Sequence, residues 1–541
     1  MDLDAFTELL TPRGQRALAE AVELRDADPV AAATRLRRTY DAALASAALT
    51  QARLRQRARA KFGADAELMY FTPHGLEQAT RAEVAAHRAA RLLAVWRGSH
   101  DPDAVAPGVE RDSPGRGRPE SVAPAPTSPD ASSPVPASPD AFPAAPASPD
   151  APSPGLASPG PREGAPGETG RGLLGAGGGE TGAGHHRAAP GAAGGGHREG
   201  IPGGTAQGPG GGVSGRAGEG PEGGVSGRTG GGAGGERPGW TGEGPRVVDV
   251  CCGSGGDLLA LARAGCLVDA VDTDPLTVAV ARANAEALGL AERVTVRVAD
   301  AASVSPEDYD VLFADPARRT ARGRTFDPMA YSPPWPVVLD LLARAPLACL
   351  KVAPGIPYEF IPEGAEAEWV SYKGEVKEAS LWTSPGAARE AGLVRLATLL
   401  PGGHVLRDTG AVAPTGPLGR YVYEPDGAAI RAHLVGEVAE LVGGRLADPM
   451  IAYITGDDPV DTPWAARYEV EEALPFSLKR LRAALRDRKI GNVTIKKRAS
   501  AVDIERLRSD LRLSGTESAV VILTRIMDKP AALICRPASP A

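Results

Sequence analysis

Val247-Val248-Asp249-Val250-Cys251-Cys252-Gly253-Ser254-Gly255-Gly256-Asp257 decides how the rest of this chain is read. An apolar run, a turn carrying two spaced glycines and a following helical stretch describe a buried strand that passes through a tight turn into a helix. Gly253 and Gly255 permit positive φ angles and close backbone approach, so a ligand can lie across the strand's carboxyl end near the helix N-terminus. A dinucleotide turn would read Gly-x-Gly-x-x-Gly, but Leu258 stands where the third glycine belongs, and an acid, Asp249, precedes the turn. The pattern points to a nucleotide-like ligand other than a dinucleotide.

Downstream, strand-like runs alternate with helical ones: Arg246–Cys251, Gly256–Ala264, Cys266–Val271, Pro275–Leu288, Val294–Val298, Tyr309–Ala314, Trp335–Ala343 and Leu347–Val352. That alternation predicts a doubly wound α/β domain, a parallel sheet covered on both faces. Successive strands end in acids. Asp272 can accept bonds from two ribose hydroxyls, Asp300 suits an adenine amino group, and the fourth strand runs into Asp315-Pro316-Ala317-Arg318. Beyond Pro354, Glu368–Lys373 and Val376–Trp382 read as an antiparallel pair joined across Gly374-Glu375.

These four motifs, in order, resemble the class I S-adenosylmethionine-dependent methyltransferases. The resemblance implies a Rossmann-like domain over 245–400 and S-adenosyl-L-methionine as cofactor, held by Asp249, Cys251, Gly253, Gly255, Asp272 and Asp300. Cys251 departs from the pattern, since many members carry their first glycine there. The competing reading is a doubly wound domain with incidental strand-end acids, and Cys251 and Cys252 read more simply as packed thiols than as catalytic ones. In the amino methyltransferases that the chain resembles, the fourth strand ends in Asn/Asp/Ser-Pro-Pro and an aromatic residue. Asp315 and Pro316 keep the hydrogen-bond acceptors, while Arg318 replaces the aromatic platform, so Asp315, Pro316 and Arg318 are the candidates for the reacting end and nitrogen is the expected acceptor. Ser332-Pro333-Pro334-Trp335 fits that pattern better by letters, but it precedes an apolar helix and reads as a helix start. Arg319, Arg322 and Arg324 are either phosphate contacts for a substrate or a solvated basic loop. Asp315–Arg319 contains no cysteine that could serve carbon methylation of a pyrimidine, and Cys349 reads as core.

Of 541 residues, 67 are Gly and 50 Pro, so domains must be placed by local composition. Residues 1–98 show helical spacing in Gln15–Glu23, Pro29–Arg59 and Leu76–Trp96 and read as an N-terminal helical domain. Within it, Tyr70-Phe71-Thr72-Pro73, followed by Glu77-Gln78, resembles the segment that precedes the glycine motif in several RNA methyltransferases and covers the cofactor. That makes Phe71 and Thr72 cofactor-binding candidates, against the simpler reading of a turn between helices. Residues 99–244 repeat Ser-Pro at Ser128, Ser138, Ser148 and Ser158 and then become Gly-rich, with Gly-Val-Ser-Gly-Arg at 212–216 and 224–228. Such composition cannot offset its ordering entropy and predicts a disordered linker, in which His185-His186 reads as solvated rather than metal-binding.

Residues 401–541 read as an α+β region ending in helix Pro475–Arg488, strand Asn492–Lys497, helix Val502–Leu511 and strands Ala519–Arg525 and Ala531–Cys535. Lys479, Arg480, Arg482, Arg486, Arg488, Lys489, Lys496, Lys497 and Arg498 are interrupted only by Asp487, a basic patch in a chain of net charge −7. The Arg488–Arg498 stretch resembles the THUMP-like domain, about 466–536, that accompanies a bacterial group of these methyltransferases, and true THUMP domains deliver RNA to modifying enzymes. The resemblance implies RNA as partner, contacted by Lys496, Lys497 and Arg498, whereas a solvated basic helix and hairpin is the plainer alternative. Five cysteines without a Cys-x-x-Cys pair argue for a reducing, cytoplasmic setting and against a structural zinc. The start lacks a basic and apolar leader, and no stretch approaches the roughly 20 apolar residues of a membrane span. The expected function is methyl transfer from S-adenosyl-L-methionine to a base nitrogen of RNA. Its rivals are a cofactor-retaining, non-catalytic RNA-binding module and a methyltransferase of proteins or small molecules.

Overall fold

The computed structural model describes residues 1–100, residues 244–384 apart from 318, 321, 322, 325 and 326, and residues 393–537. The expected linker over 99–244 lies outside them except at its edges, as do His185 and His186.

The N-terminal region forms α1 (Leu3–Leu9), α2 (Pro12–Glu23), α3 (Pro29–Leu36), α4 (Ala42–Phe62), α5 (Pro73–Gln78) and α6 (Ala82–His100). Side chains set these starts: Asp2, Thr11, Asp28, Asp41 and Thr72 each accept from a backbone N–H of the first turn. The helical spacing read over Pro29–Arg59 therefore belongs to two helices, because Asp41 caps a new start with its bond from Leu44 N at 3.0 Å. Leu76–Trp96 is likewise divided, α5 ending before Ala79 and α6 beginning at Ala82.

These helices do not form a separate core. Leu54, Phe62, Phe71 and Leu92 are buried with Val247, Leu258, Val311 and Phe313 of the α/β domain. Phe6, Leu18 and Leu44 pack with Val280 and Ala283. Burying side chains of this size contributes about 1.5–3 kcal/mol each, so the helical layer and the sheet stabilise one another.

The α/β domain runs β1 (Arg246–Asp249), α7 (Gly256–Arg263), β2 (Leu267–Asp272), α8 (Pro275–Ala287), β3 (Val294–Val298), β4 (Val311–Ala314), a two-residue hairpin β5 (Arg319–Thr320) and β6 (Gly323–Arg324), α9 (Trp335–Arg344), β7 (Ala348–Val352), β8 (Glu366–Tyr372), β9 (Glu375–Thr383), β10 (Val394–Leu400) and β11 (His404–Arg407). The main sheet has the order β11-β10-β8-β9-β7-β4-β1-β2-β3. The β3-β2-β1-β4-β7 part is parallel, and β9 enters antiparallel to both β7 and β8. The sheet passes the boundary set at 400, because β11 pairs with β10 across a tight hairpin. From β1 the successive strands are added outward to β2 and β3 on one side and from β4 on the other, and this switch of strand order is the place where doubly wound sheets open a crevice at their carboxyl ends.

The C-terminal part forms β12 (Tyr421–Pro425), α10 (Gly427–Arg431), α11 (Val435–Leu441), β13 (Arg445–Asp448), β14 (Ile451–Gly456), β15 (Ala465–Pro475), α12 (Leu478–Asp487), β16 (Ile490–Lys497), α13 (Ile504–Leu511), β17 (Glu517–Ile526) and β18 (Lys529–Pro537). Its sheet has the order β13-β14-β12-β15-β18-β17-β16, with α12 and α13 packed on Val493, Ile495, Val521 and Ile534. Pro475 ends strand β15 instead of opening α12. Among the described residues no helix is long and apolar enough to cross a membrane.

Candidate active site

A cavity of about 250 Å³ opens at the carboxyl ends of β1, β2 and β4. The glycine turn forms its floor: Gly253 has φ +53° and Gly255 φ +93°, and a β-carbon at Gly255 would lie 3.3 Å from Leu258 Cδ2. Gly255 precedes α7, whose N-terminus faces the cavity through Gly256 and Asp257. Cys251 is not among the residues with positive φ, so a side chain is admitted where the resembling enzymes carry glycine. Its Sγ accepts from Asp315 N at 3.0 Å, tying the end of β1 to the end of β4, and burial pushes its thiol far above the ordinary range. It is a protonated, packed group.

Asp249 is almost wholly buried at the end of β1. One oxygen accepts from Cys251 N at 3.2 Å, while Oδ2 is buried without a partner. Burial first, then the neighbouring carboxylates of Asp257, Asp315 and Asp272, hold its pKa well above the carboxylate range. Asp272 accepts from Gly253 N and Asp274 N, both at 3.1 Å, and burial raises its pKa too. Asp300 lines the same cavity and caps a short turn through Ala302 N at 2.8 Å. Among the described lining residues there are five aspartates, Asp249, Asp257, Asp272, Asp300 and Asp315, and no lysine or arginine. Such a wall repels an anionic dinucleotide and fits S-adenosyl-L-methionine, whose sulfonium and ammonium outnumber its one carboxylate. The orphaned Asp249 Oδ2 is an acceptor suited to that ammonium.

Phe71 and Thr72 are placed differently from expectation. Phe71 is fully buried against Phe62, with ring centroids 5.5 Å apart, and Thr72 caps α5 by accepting from Gly75 N at 2.9 Å. Neither lines the cavity. Pro73 starts α5 instead, and this turns Gly75, Gln78, Ala79 and Thr80 into the wall. Lys61 holds that segment by donating to the carbonyls of Leu76, Glu77 and Ala79 at 2.8, 3.0 and 2.7 Å.

At the reacting end Asp315 and Ala317 line the cavity, and Pro316 lies between them without lining it. Arg318 and Arg322 fall outside the described residues, as do the side chains of Arg319 and Arg324. Ser332 bonds Ala317 in both directions, N to O at 3.0 Å and O to N at 2.7 Å. The segment Ser332-Pro333-Pro334 thus forms a cavity wall as well as leading into α9.

Sequence reasoning missed the groups behind Asp315. Lys351 of β7 is buried and pairs with Asp315 Oδ2; it donates to Thr80 Oγ1 at 2.7 Å and lies 3.9 Å from Asp257 Oδ2. Arg88 of α6 pairs with Asp257 and Glu378. A lysine in the otherwise apolar run Ala348-Cys349-Leu350-Lys351-Val352 was the available signal.

In the C-terminal sheet, Lys496 and Arg498 do not form an open patch. Lys496 Nζ lies 2.5 Å and Arg498 Nη2 3.8 Å from the Glu424 carboxylate, over the rings of Tyr468 and Tyr453. Lys497, on the opposite face of β16, is exposed and donates to Val502 O at 3.2 Å. Strand alternation separates what the sequence reading grouped. Among the described residues no group of three or more His, Cys, Asp or Glu could hold a metal.

Three family profiles match the chain: a domain of unknown function over 2–58, a methyltransferase domain over 247–319 and a THUMP domain-like module over 465–537. Two proteins of Mycobacterium tuberculosis, each described as an uncharacterised S-adenosylmethionine-dependent methyltransferase, are 36% identical over 304 residues, 54% of this chain and 82% of theirs. A solved structure from Porphyromonas gingivalis, provisionally described as a methyltransferase, is 24% identical, with TM-score 0.46 over 55% of this chain and 78% of that one. The match over 82% of the relatives' length and the profile lying on the glycine turn and its strand-end acids agree. The chain belongs to the S-adenosylmethionine-dependent methyltransferases, with a THUMP-like domain on its C-terminal side.

Proposed function

We propose that this enzyme methylates a base nitrogen of RNA, with Asp315 as the group that receives the acceptor's N–H. The observation that carries the reading is Asp315 itself, at the end of β4, facing the cavity beside Asp249 and the glycine turn. S-adenosyl-L-methionine supplies a methyl group already activated on a sulfonium. The chain's residues then have two tasks, orientation and removal of one proton. Asp249 Oδ2 receives the cofactor's ammonium, Asp272 the ribose hydroxyls and Asp300 the adenine edge. Asp315 and the Pro316 carbonyl orient a planar amine, and Asp315 takes its proton as the new N–C bond forms and the S–C bond breaks.

RNA is favoured as acceptor by the THUMP-like module and its basic face. With Lys496 and Arg498 occupied by Glu424, that face consists of exposed Lys479, Arg480, Arg486, Lys489 and Lys497. Arg318, Arg319 and Arg322 remain candidates for substrate phosphates near the catalytic cavity. In this reading the helices of 1–98 and the sheet domain act together on the cofactor, 99–244 links them, and the C-terminal region presents the substrate. Free thiols at all five cysteines fit a cytoplasmic setting.

The test is incubation of the full chain with methyl-labelled cofactor and separate RNA, DNA and protein pools, followed by nucleoside chromatography. Label in N-methylated nucleosides of RNA is the expected result. Label in protein or small molecules but never in RNA overturns it.

A further inference from the structure

Lys351 interrupts a strand that is buried along its whole length, and only 5% of its surface is accessible. An ammonium at such a depth costs several kcal/mol unless charges and acceptors surround it. Several elements supply them. Asp315 comes from the end of β4, Asp257 from the first turn of α7, Glu378 from β9 and Thr80 from the segment before α6, while Arg88 of α6 pairs with Asp257 and Glu378. Burial alone would lower the pKa of Lys351, but the carboxylates of Asp315, Asp257 and Glu378 outweigh it and leave the group raised and charged.

Arg88 and Lys351 meet the carboxylates of Asp315, Asp257 and Glu378, with the ammonium of Lys61 of α4 near enough to act on Lys351, and Arg88 is engaged with Asp257 and Glu378. Asp315, the most exposed of the three acids, lines the cavity together with Asp257, whose carboxylate is engaged by Arg88 and Thr80. Its Oδ2 is taken by Lys351, and its backbone N–H is fixed on Cys251 Sγ.

We propose that Lys351 is a positioning residue for methyl transfer: its ammonium holds Asp315 Oδ2 so that Oδ1 is presented to the acceptor, and Thr80 fixes the ammonium in that place. This rests on the reading of Asp315 as the acceptor-binding group. Thr80 belongs to the N-terminal region and lines the cavity, so the helical layer completes the reacting end as well as the cofactor wall. The hydroxyl of Thr80 accepts from Lys351 and donates to Asp257 Oδ2 at 2.8 Å, which sets its direction in the network.

The test uses the full chain with 13C-labelled aspartate side chains, its carboxyl spectrum recorded by NMR at one fixed pH, beside the rate of methyl transfer to bulk RNA. The Asp315 resonance is the one that disappears in Asp315→Asn. In Lys351→Met that resonance should move, because the carboxylate no longer has its ammonium partner, while calorimetry shows cofactor affinity unchanged. The rate should fall about 10- to 100-fold. Thr80→Val should give smaller changes in both readouts, and Thr80→Ser should restore the wild-type spectrum. An Asp315 resonance that stays in place in Lys351→Met overturns the proposal, as does a loss of rate that only follows a loss of cofactor affinity. If Lys351→Met does not fold, identical spectra in Thr80→Val and Thr80→Ser overturn it. Full activity in Asp315→Asn, with the Lys351 effect on the spectrum intact, sinks the catalytic reading and leaves the ion pair itself.

Discussion

Asn284 of α8 grips Tyr70 from both sides: its Oδ1 accepts from Tyr70 N at 2.6 Å and its Nδ2 donates to Tyr70 O at 3.0 Å. The same amide donates to Ser254 O at 2.9 Å, in the glycine turn. One wholly buried side chain therefore docks the N-terminal segment onto the cofactor loop. In Asn284→Leu two backbone groups of Tyr70 are left without their partner. Stability to denaturant should fall by about 1–3 kcal/mol, and cofactor affinity should fall with it because Gly75–Thr80 follow Tyr70. Equal affinity in the variant, measured by calorimetry, would separate the docking from the cavity wall.

Cofactor binding should depend on pH through Asp249. Burial raises this acid, and an arriving ammonium favours its charged form. The complex then holds fewer protons than the free enzyme, so affinity rises as pH rises through the raised pKa and binding releases protons. Calorimetry in buffers of different ionisation enthalpy reads the released protons directly. Asp249→Asn should abolish the difference between buffers; a persisting difference would place the proton elsewhere.

Resistance to acid should depend on Glu368. Burial would raise its pKa, but Arg91, His87 and Thr398 outweigh burial and bring it from 4.5 to about 2. The folded value lies below the unfolded one, so the contribution is complete above about pH 4.5 and is lost as pH falls through about 2. Its size is on the order of 3 kcal/mol. The stability of Glu368→Gln should fall less steeply than that of wild type as pH drops across that window, measured by denaturant unfolding at a series of pH values; equal slopes would remove Glu368 from the acid response.

The basic residues of the C-terminal region should divide into two classes. Replacing exposed Lys479 and Arg480 by Glu should weaken RNA retention and flatten its salt dependence by about one unit of slope for each phosphate no longer neutralised. Lys496→Gln removes the partner of Glu424 and should lower thermal stability with little change in the salt slope. Filter binding across a salt series distinguishes the two, and a flattened slope in Lys496→Gln would restore that lysine to the RNA face.

What the sequence made legible was local. The strand, the glycine turn and the acids at Asp272, Asp300 and Asp315 follow from period and spacing, and the structure gathers them around one cavity. The division of Lys496 and Arg498 from Lys497 was also within reach, since neighbouring residues of a strand face opposite ways. Glu424 as their partner was not, because β12 and β16 are not neighbours in the sheet and these side chains meet only in the tertiary fold. The same holds for Thr80, Arg88 and Lys351, whose pairing depends on α6 crossing a sheet encoded far downstream. Phe71 was misassigned because an aromatic residue before a proline reads alike as a cofactor lid and as core, and only its packing on Phe62 decides.

The shared core of α4–α6 and the main sheet also bears on how the molecule is made. The helices leave the ribosome well before Val247 and must wait with Leu54, Phe62, Phe71 and Leu92 uncovered until their partner strands appear. Once the two pieces have met, the peptide link between them is no longer what keeps them together. A cut anywhere between residues 101 and 243 should leave a two-fragment enzyme that co-purifies and still binds its cofactor, and the halves, expressed from separate genes, should assemble into one.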